Sequence, residues 1–106
     1  MKARILDTRR LKKFSASGHH KETIWEDEQG RINLICMRDG QELTTHTHHG
    51  NHVWIVLEGT GEFFSGGKSE AIGAGNIVVV PALVEHGIRN AAGGDLVIAS
   101  ITAAGD

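Results

Sequence analysis

The chain has no tyrosine, one proline and one cysteine, and neither sign of charge is in marked excess. Each scarcity excludes something. Cys36 has no second cysteine with which to form an internal disulfide or a CxxC zinc pair. With 11 Lys and Arg against 13 Asp and Glu, there is no basic stripe to track a phosphate backbone. Nucleic acid is therefore not an expected partner. The longest apolar run, IVVVPALV at 77–84, is broken by Pro81 and far too short to cross a bilayer, so no membrane partner is expected. The N-terminus, MKARILDTRRLKKF, is basic but lacks the apolar stretch and cleavage site of a secretory signal. The expectation is a soluble cytoplasmic chain forming one domain over 1–106, with a single core.

Glycine, by contrast, is plentiful, with 14 in 106 residues, which favours many tight turns. No window sustains a helical period. RILDTRRLKKF comes nearest, but Arg9 and Arg10 interrupt its apolar stripe, so it reads equally as a short helix or an edge strand. Elsewhere short β-rich runs alternate with turn residues. TIWEDE leads into Gln29-Gly30, and RINLICMR into Asp39-Gly40, a hairpin-type pair. HVWIVLEG gives way to Thr60-Gly61, and EFFS to Gly66-Gly67, another hairpin signal. NIVVVP, HGIRN and LVIASIT follow, broken by Gly75, Asn90 and Gly93-Gly94. Such runs without crossover helices predict an all-β sandwich or barrel.

Four of the seven histidines fall within TTHTHHGNHVWIVLEG, residues 44–59, and a further one, His86, stands far downstream. On a strand, His46 and His48 would leave the same face about 7 Å apart, close enough for two imidazoles to converge on one ion. His52 follows Gly50-Asn51, where the chain can turn back, while His49 has the opposite parity and should point away. From His52 the same parity gives Trp54 and Val56 on one face and Val53, Ile55 and Leu57 on the other. His86 would have to arrive from a distant strand of a closed sheet. The histidines read equally well as a solvated polar loop, given the Thr and Asn among them. Trp54 and Phe63 are candidates for lining a pocket, and residues of their type in an apolar strand are more often core. Cys36 reads as a small buried hydrophobe, and His19 and His20 as solvated loop residues.

The spacing around the histidines adds a second kind of information. From Gly40 there are five residues to His46, one to His48, three to His52 and six to Gly59. From Gly75 there are five to Pro81, four to His86 and three to Asn90, and fifteen residues, 60–74, separate the two blocks. These blocks, 40–59 and 75–90, strongly resemble the two motifs of the cupin family of small double-stranded β-helix (jelly-roll) barrels. The resemblance implies that His46, His48 and His86 are metal ligands. His52 stands where a glutamate is usual, so the site resembles the four-histidine minority. Leu83 stands where the second motif usually has a glycine after the proline, which predicts a differently built or strained turn at 81–85.

Four neutral imidazoles would leave a divalent ion its full charge and leave positions open for a chelating small molecule. The resemblance therefore implies a metal-dependent enzyme (oxygenase, isomerase or lyase) acting on a small oxygen-rich molecule. A non-catalytic, metal-dependent binding or sensing module is the alternative, favoured by the lack of an evident acid or base. Glu85 and Arg89 have outward parity, Asn90 suits a turn, and Glu58 lies near a strand end. Manganese or iron is the expected metal, with nickel, zinc, copper or cobalt able to use the same ligands. Family members are commonly homodimers. The apolar outer face of 53–57 and the N-terminal extension, 1–22, are candidates for such an interface.

Overall fold

The computed structural model describes residues 2–91, 93–104 and 106. The ambiguous N-terminal segment contains one helical turn, α1 (Thr8–Leu11), capped by the Asp7 carboxylate, which accepts from the Arg9 N–H. The described residues then form β1 (His20–Glu26), β2 (Gly30–Met37), β3 (Glu42–His46), β4 (His52–Glu58), β5 (Thr60–Ser65), β6 (Lys68–Gly73), β7 (Ile77–Val80), β8 (His86–Arg89) and β9 (Leu96–Ala103). The strands make two facing sheets, in the orders β1-β2-β9-β4-β7 and β3-β8-β5-β6, and all strand pairings are antiparallel. This is the all-β, double-stranded β-helix architecture that the sequence predicts.

Side-chain alternation decides what lies between the sheets. Along β4, His52, Trp54 and Val56 are buried while Val53 and Ile55 are only half-buried, in line with the predicted parity. Ile35 and Met37 of β2 sit opposite Ile98 and Leu96 of β9, and Val56 sits opposite Ile98. With Trp54 and Ile88 these residues form the main core, packed by Leu43, Phe63, Ile72 and Val78. β2 and β9 also bury their other face. Leu34, Cys36 and Val97 form a second cluster, covered by Leu11, Phe14, Ile24 and Leu57. The N-terminal segment thus folds back over its own barrel. Lys12 reinforces it with an ion pair to Glu58 at 2.8 Å, and the Gln41 side-chain amide donates to the Ser15 carbonyl.

Several local expectations change. Asp39-Gly40 turns the chain, but it carries β2 of one sheet to β3 of the other and closes no hairpin. Gly66-Gly67 does close one: with φ of 59° and 76° it joins β5 to β6 in a two-residue turn. The polar sequence KSEAIG of β6 carries no strand signal of its own, because its register comes from that turn and not from apolar alternation. His20 opens β1 opposite Cys36 and is half-buried, so it is not a loop residue. His19 is half-buried too, its Nδ1 lying 3.1 Å from the Glu42 carbonyl. At the crossing from β4 to β5, Gly59 has φ 82°, and a Cβ there would collide with the Asp95 carbonyl. No helix among the described residues is long and apolar enough to cross a membrane.

Candidate metal centre

The two sheets bring the predicted histidines together from opposite sides. His46 ends β3 and lies directly across from His86, which opens β8, with ring centroids 4.4 Å apart. Strand parity alone would not allow this. Leu43 faces the core, and His46, three residues on, should face outward. A bulge between Leu43 and His46 sets Thr44 and Thr45 against Gly87 alone, which reverses the parity and turns His46 inward. Gly87 permits the bulge because a Cβ there would lie 2.9 Å from the Leu43 carbonyl oxygen and 3.0 Å from the Thr45 nitrogen.

His48 does not share that strand with His46, as the i, i+2 reading supposes; it lies in the loop before β4. Its ring nevertheless joins the group, 4.6 Å from His46, 3.8 Å from His52 and 5.6 Å from His86 between centroids. The loop is tied to the one before His86. The Leu83 N–H donates to the His48 carbonyl at 2.8 Å, and the Ala82 N–H donates to the Asn51 side chain at 2.9 Å. Leu83 is the described non-glycine residue with a positive φ, 65°, so the turn that departs from the glycine pattern is indeed strained. The residue is 67% exposed. His49 is exposed, as predicted.

Two of the imidazoles are held by backbone carbonyls. The Nδ1 of His46 lies 2.8 Å from the Thr44 carbonyl, and that of His86 lies 2.9 Å from the Val84 carbonyl. A carbonyl only accepts, so each Nδ1 carries the proton and each Nε2 keeps a free lone pair. The Nε2 atoms of His48, His52 and His86 are buried without a hydrogen-bond partner. Burial holds His86, His48 and His52 below the ordinary imidazole pKa, His52 to about 4, with repulsion from His48 adding to the effect. They are therefore neutral near pH 7, the form in which imidazole ligates a metal.

Asp106 joins the group without any sequence signal. Its carboxylate is 3.8 Å from His48 Nδ1 and 3.7 Å from His52 Nε2, and it accepts from the Gly50 N–H at 2.7 Å. The depressed His52 pKa shows burial outweighing that carboxylate, so these contacts are not ion pairs at neutral pH. No motif marks Asp106. Only the topology does, since β9 runs antiparallel to β4, with Ile101 opposite Val53, and Asp106 lies beyond its end beside Gly50 and His52.

The donor atoms form two overlapping trios, each with its members within 4.8 Å: His46, His48 and His86, and His48, His52 and Asp106. Buried, uncharged, unpartnered nitrogens beside a carboxylate fit a divalent metal. Trp54 lies beneath the group, edge-on to His86 at 5.4 Å and to Phe63 at 5.8 Å, and its buried indole N–H has no partner. The candidate acids and bases lie elsewhere. Glu85 and Arg89 are exposed, Glu58 pairs with Lys12, and buried Asn90 donates to the Met37 and Gly94 carbonyls, fixing a turn.

Fold and site together define a small metal-binding β-barrel. The sequence model of a family described as "Cupin domain" matches residues 33–102, and the chain belongs to that family. No curated protein matches the chain. Among solved structures it is similar to an RmlC-like cupin protein of Desulfovibrio desulfuricans (29% identity, TM-score 0.82, covering 97% of this chain and 96% of that one). It is also similar to a protein of Thermus thermophilus (26% identity, TM-score 0.87, covering 93% and 95%). An uncharacterized Klebsiella pneumoniae protein with a double-stranded β-helix domain shares the fold (21% identity, TM-score 0.91, covering 99% and 93%).

Proposed function

We propose that the chain is a metal-dependent enzyme, an oxygenase, isomerase or lyase, acting on a small oxygen-rich molecule in the cytoplasm. His46, His48, His52 and His86 hold a divalent transition metal, manganese or iron first, with nickel, zinc, copper or cobalt able to replace it. The observation that carries this reading is the three buried, unpartnered Nε2 atoms of His48, His52 and His86. Buried polar atoms are normally satisfied, and three in one cluster call for a common partner. When bound, the metal would polarise a substrate oxygen and lower the pKa of a bound water. The chain's own groups set the geometry: the Thr44 and Val84 carbonyls orient two rings, and Trp54 and Phe63 shape the inner wall. Oxygen-uptake and product screening with diketones and catechols tests the reading. Turnover should vanish in His48→Ala, and turnover unchanged in that variant would overturn it.

A second reading, a non-catalytic binding or sensing module, is favoured by one observation: Glu85 and Arg89 are exposed and Glu58 is paired with Lys12. It predicts ligand-dependent thermal stabilisation that grows with ligand concentration, without product. In either case the chain works as a homodimer. Val53 lies opposite Val79 and Ile101, and Ile55 opposite Ile77, and the edge strand β7 leaves Ile77 and Val79 64% and 65% exposed. Such an apolar sheet face beside an open edge is normally covered. Leu57 packs instead against the second cluster, alongside Leu11 and Phe14 of the N-terminal segment, whose Ile5 is 99% exposed and free to reach a partner.

A further inference from the structure

We propose that Asp106 is the carboxylate ligand of this metal site, entering beside His52 and supplying the negative charge that the histidine motif lacks. The inference rests on the metal-site reading above and concerns a residue that lies outside both sequence motifs. The Asp106 side chain is 11% exposed and close to two imidazoles, one of them, His52, 96% buried with its Nε2 unpartnered. At 3.7 and 3.8 Å the carboxylate oxygens are too far from the ring nitrogens to hydrogen-bond with them. Two atoms that each bind one ion at about 2.0–2.2 Å stand roughly 2.9–4.3 Å apart, depending on the angle between the bonds. The Asp106–His52 separation falls inside that window and outside the hydrogen-bonding one. The Gly50 N–H fixes one carboxylate oxygen from the backbone, so the group is oriented before any ion arrives.

The position has a chemical consequence. Four neutral imidazoles leave a divalent ion its full charge, and a carboxylate ligand halves it. The loop 47–51 would then be clamped from two sides, by Leu83 and Ala82 on one and by Asp106 on the other.

The test is a competition titration of apo wild type, Asp106→Asn and Asp106→Ala with Co²⁺ against a chromophoric chelator, together with the visible spectrum of each Co²⁺ complex. Asn keeps an oxygen that can accept from Gly50, so a role limited to holding that loop predicts wild-type affinity for Asp106→Asn. A ligand role predicts at least about tenfold weaker binding in both variants and an altered cobalt spectrum. Wild-type affinity in Asp106→Asn overturns the proposal. Weaker binding with an unchanged spectrum also overturns it, because Asp106 would then act only through His48. Failure of the wild type itself to take up cobalt defeats the metal-site reading instead, so the two failures are distinguishable. Thermal melts of the apo variants show whether each remains folded.

Discussion

Leu83 sits in a backbone region that costs an ordinary L-residue about 1–2 kcal/mol, and its side chain is mostly in water. Glycine would remove that strain while losing about 0.5–1 kcal/mol to chain entropy. Leu83→Gly should therefore match or exceed wild-type stability in urea denaturation, and Leu83→Val should fall below it. A Leu83→Gly variant clearly less stable than wild type would mean that the residue is not strained. His52 gives a pH prediction. Folded and metal-free, it takes a proton only near pH 4, whereas the unfolded chain takes it near 6.5. Between those values the unfolded state binds more protons, so stability that is complete above pH 6.5 drains away as the pH falls. A drop of about 3 kcal/mol from this group is expected across that window, in the same direction as the smaller effects of His48 and His86. Denaturation midpoints of apo protein between pH 7.5 and 4.5 would show it, with a flatter profile for His52→Gln. At this scale the sequence is informative where parity or motif spacing applies, as at His49, Trp54 and Leu83. It is silent on Asp106, whose place depends on a strand pairing and not on neighbours in the chain.

Elements explain why the histidines meet at all. The bulge at Thr44–Thr45 is what faces His46 toward His86, and Gly87 is what lets β3 come close enough to form it. Gly87→Ala should lower stability by roughly 1–3 kcal/mol through backbone crowding and reduce metal retention by displacing His46. Wild-type metal content and stability in this variant would show that the bulge has no such role. Strand existence is legible for β2, β4 and β9, whose apolar residues line both faces of the sheet. β6 is not, since its outward polar residues carry no alternation and its partner is chosen by the Gly66-Gly67 turn. The Asp39-Gly40 pair reads as a hairpin for the same reason in reverse: local turn chemistry does not say which sheet the next strand will join.

For the whole molecule, two facing sheets bring His46, His48 and His86 into one group of donor atoms and His48, His52 and Asp106 into a second that overlaps it. The all-β class follows from alternation and glycine turns, while the closure that unites these strands follows only from the motif resemblance. Exposed Ile77 and Val79 on the edge strand predict a dimer by light scattering and a monomer for Val79→Glu; a monomeric wild type would refute that assembly. Whether the histidines form a metal centre is decided by the metal content of tag-free protein, measured beside a His46→Ala, His86→Ala double variant shown to be folded. Close to one divalent transition-metal ion per wild-type chain, and almost none in the variant, is the expected outcome. Equal metal content in the two, or none in the wild type, would refute it.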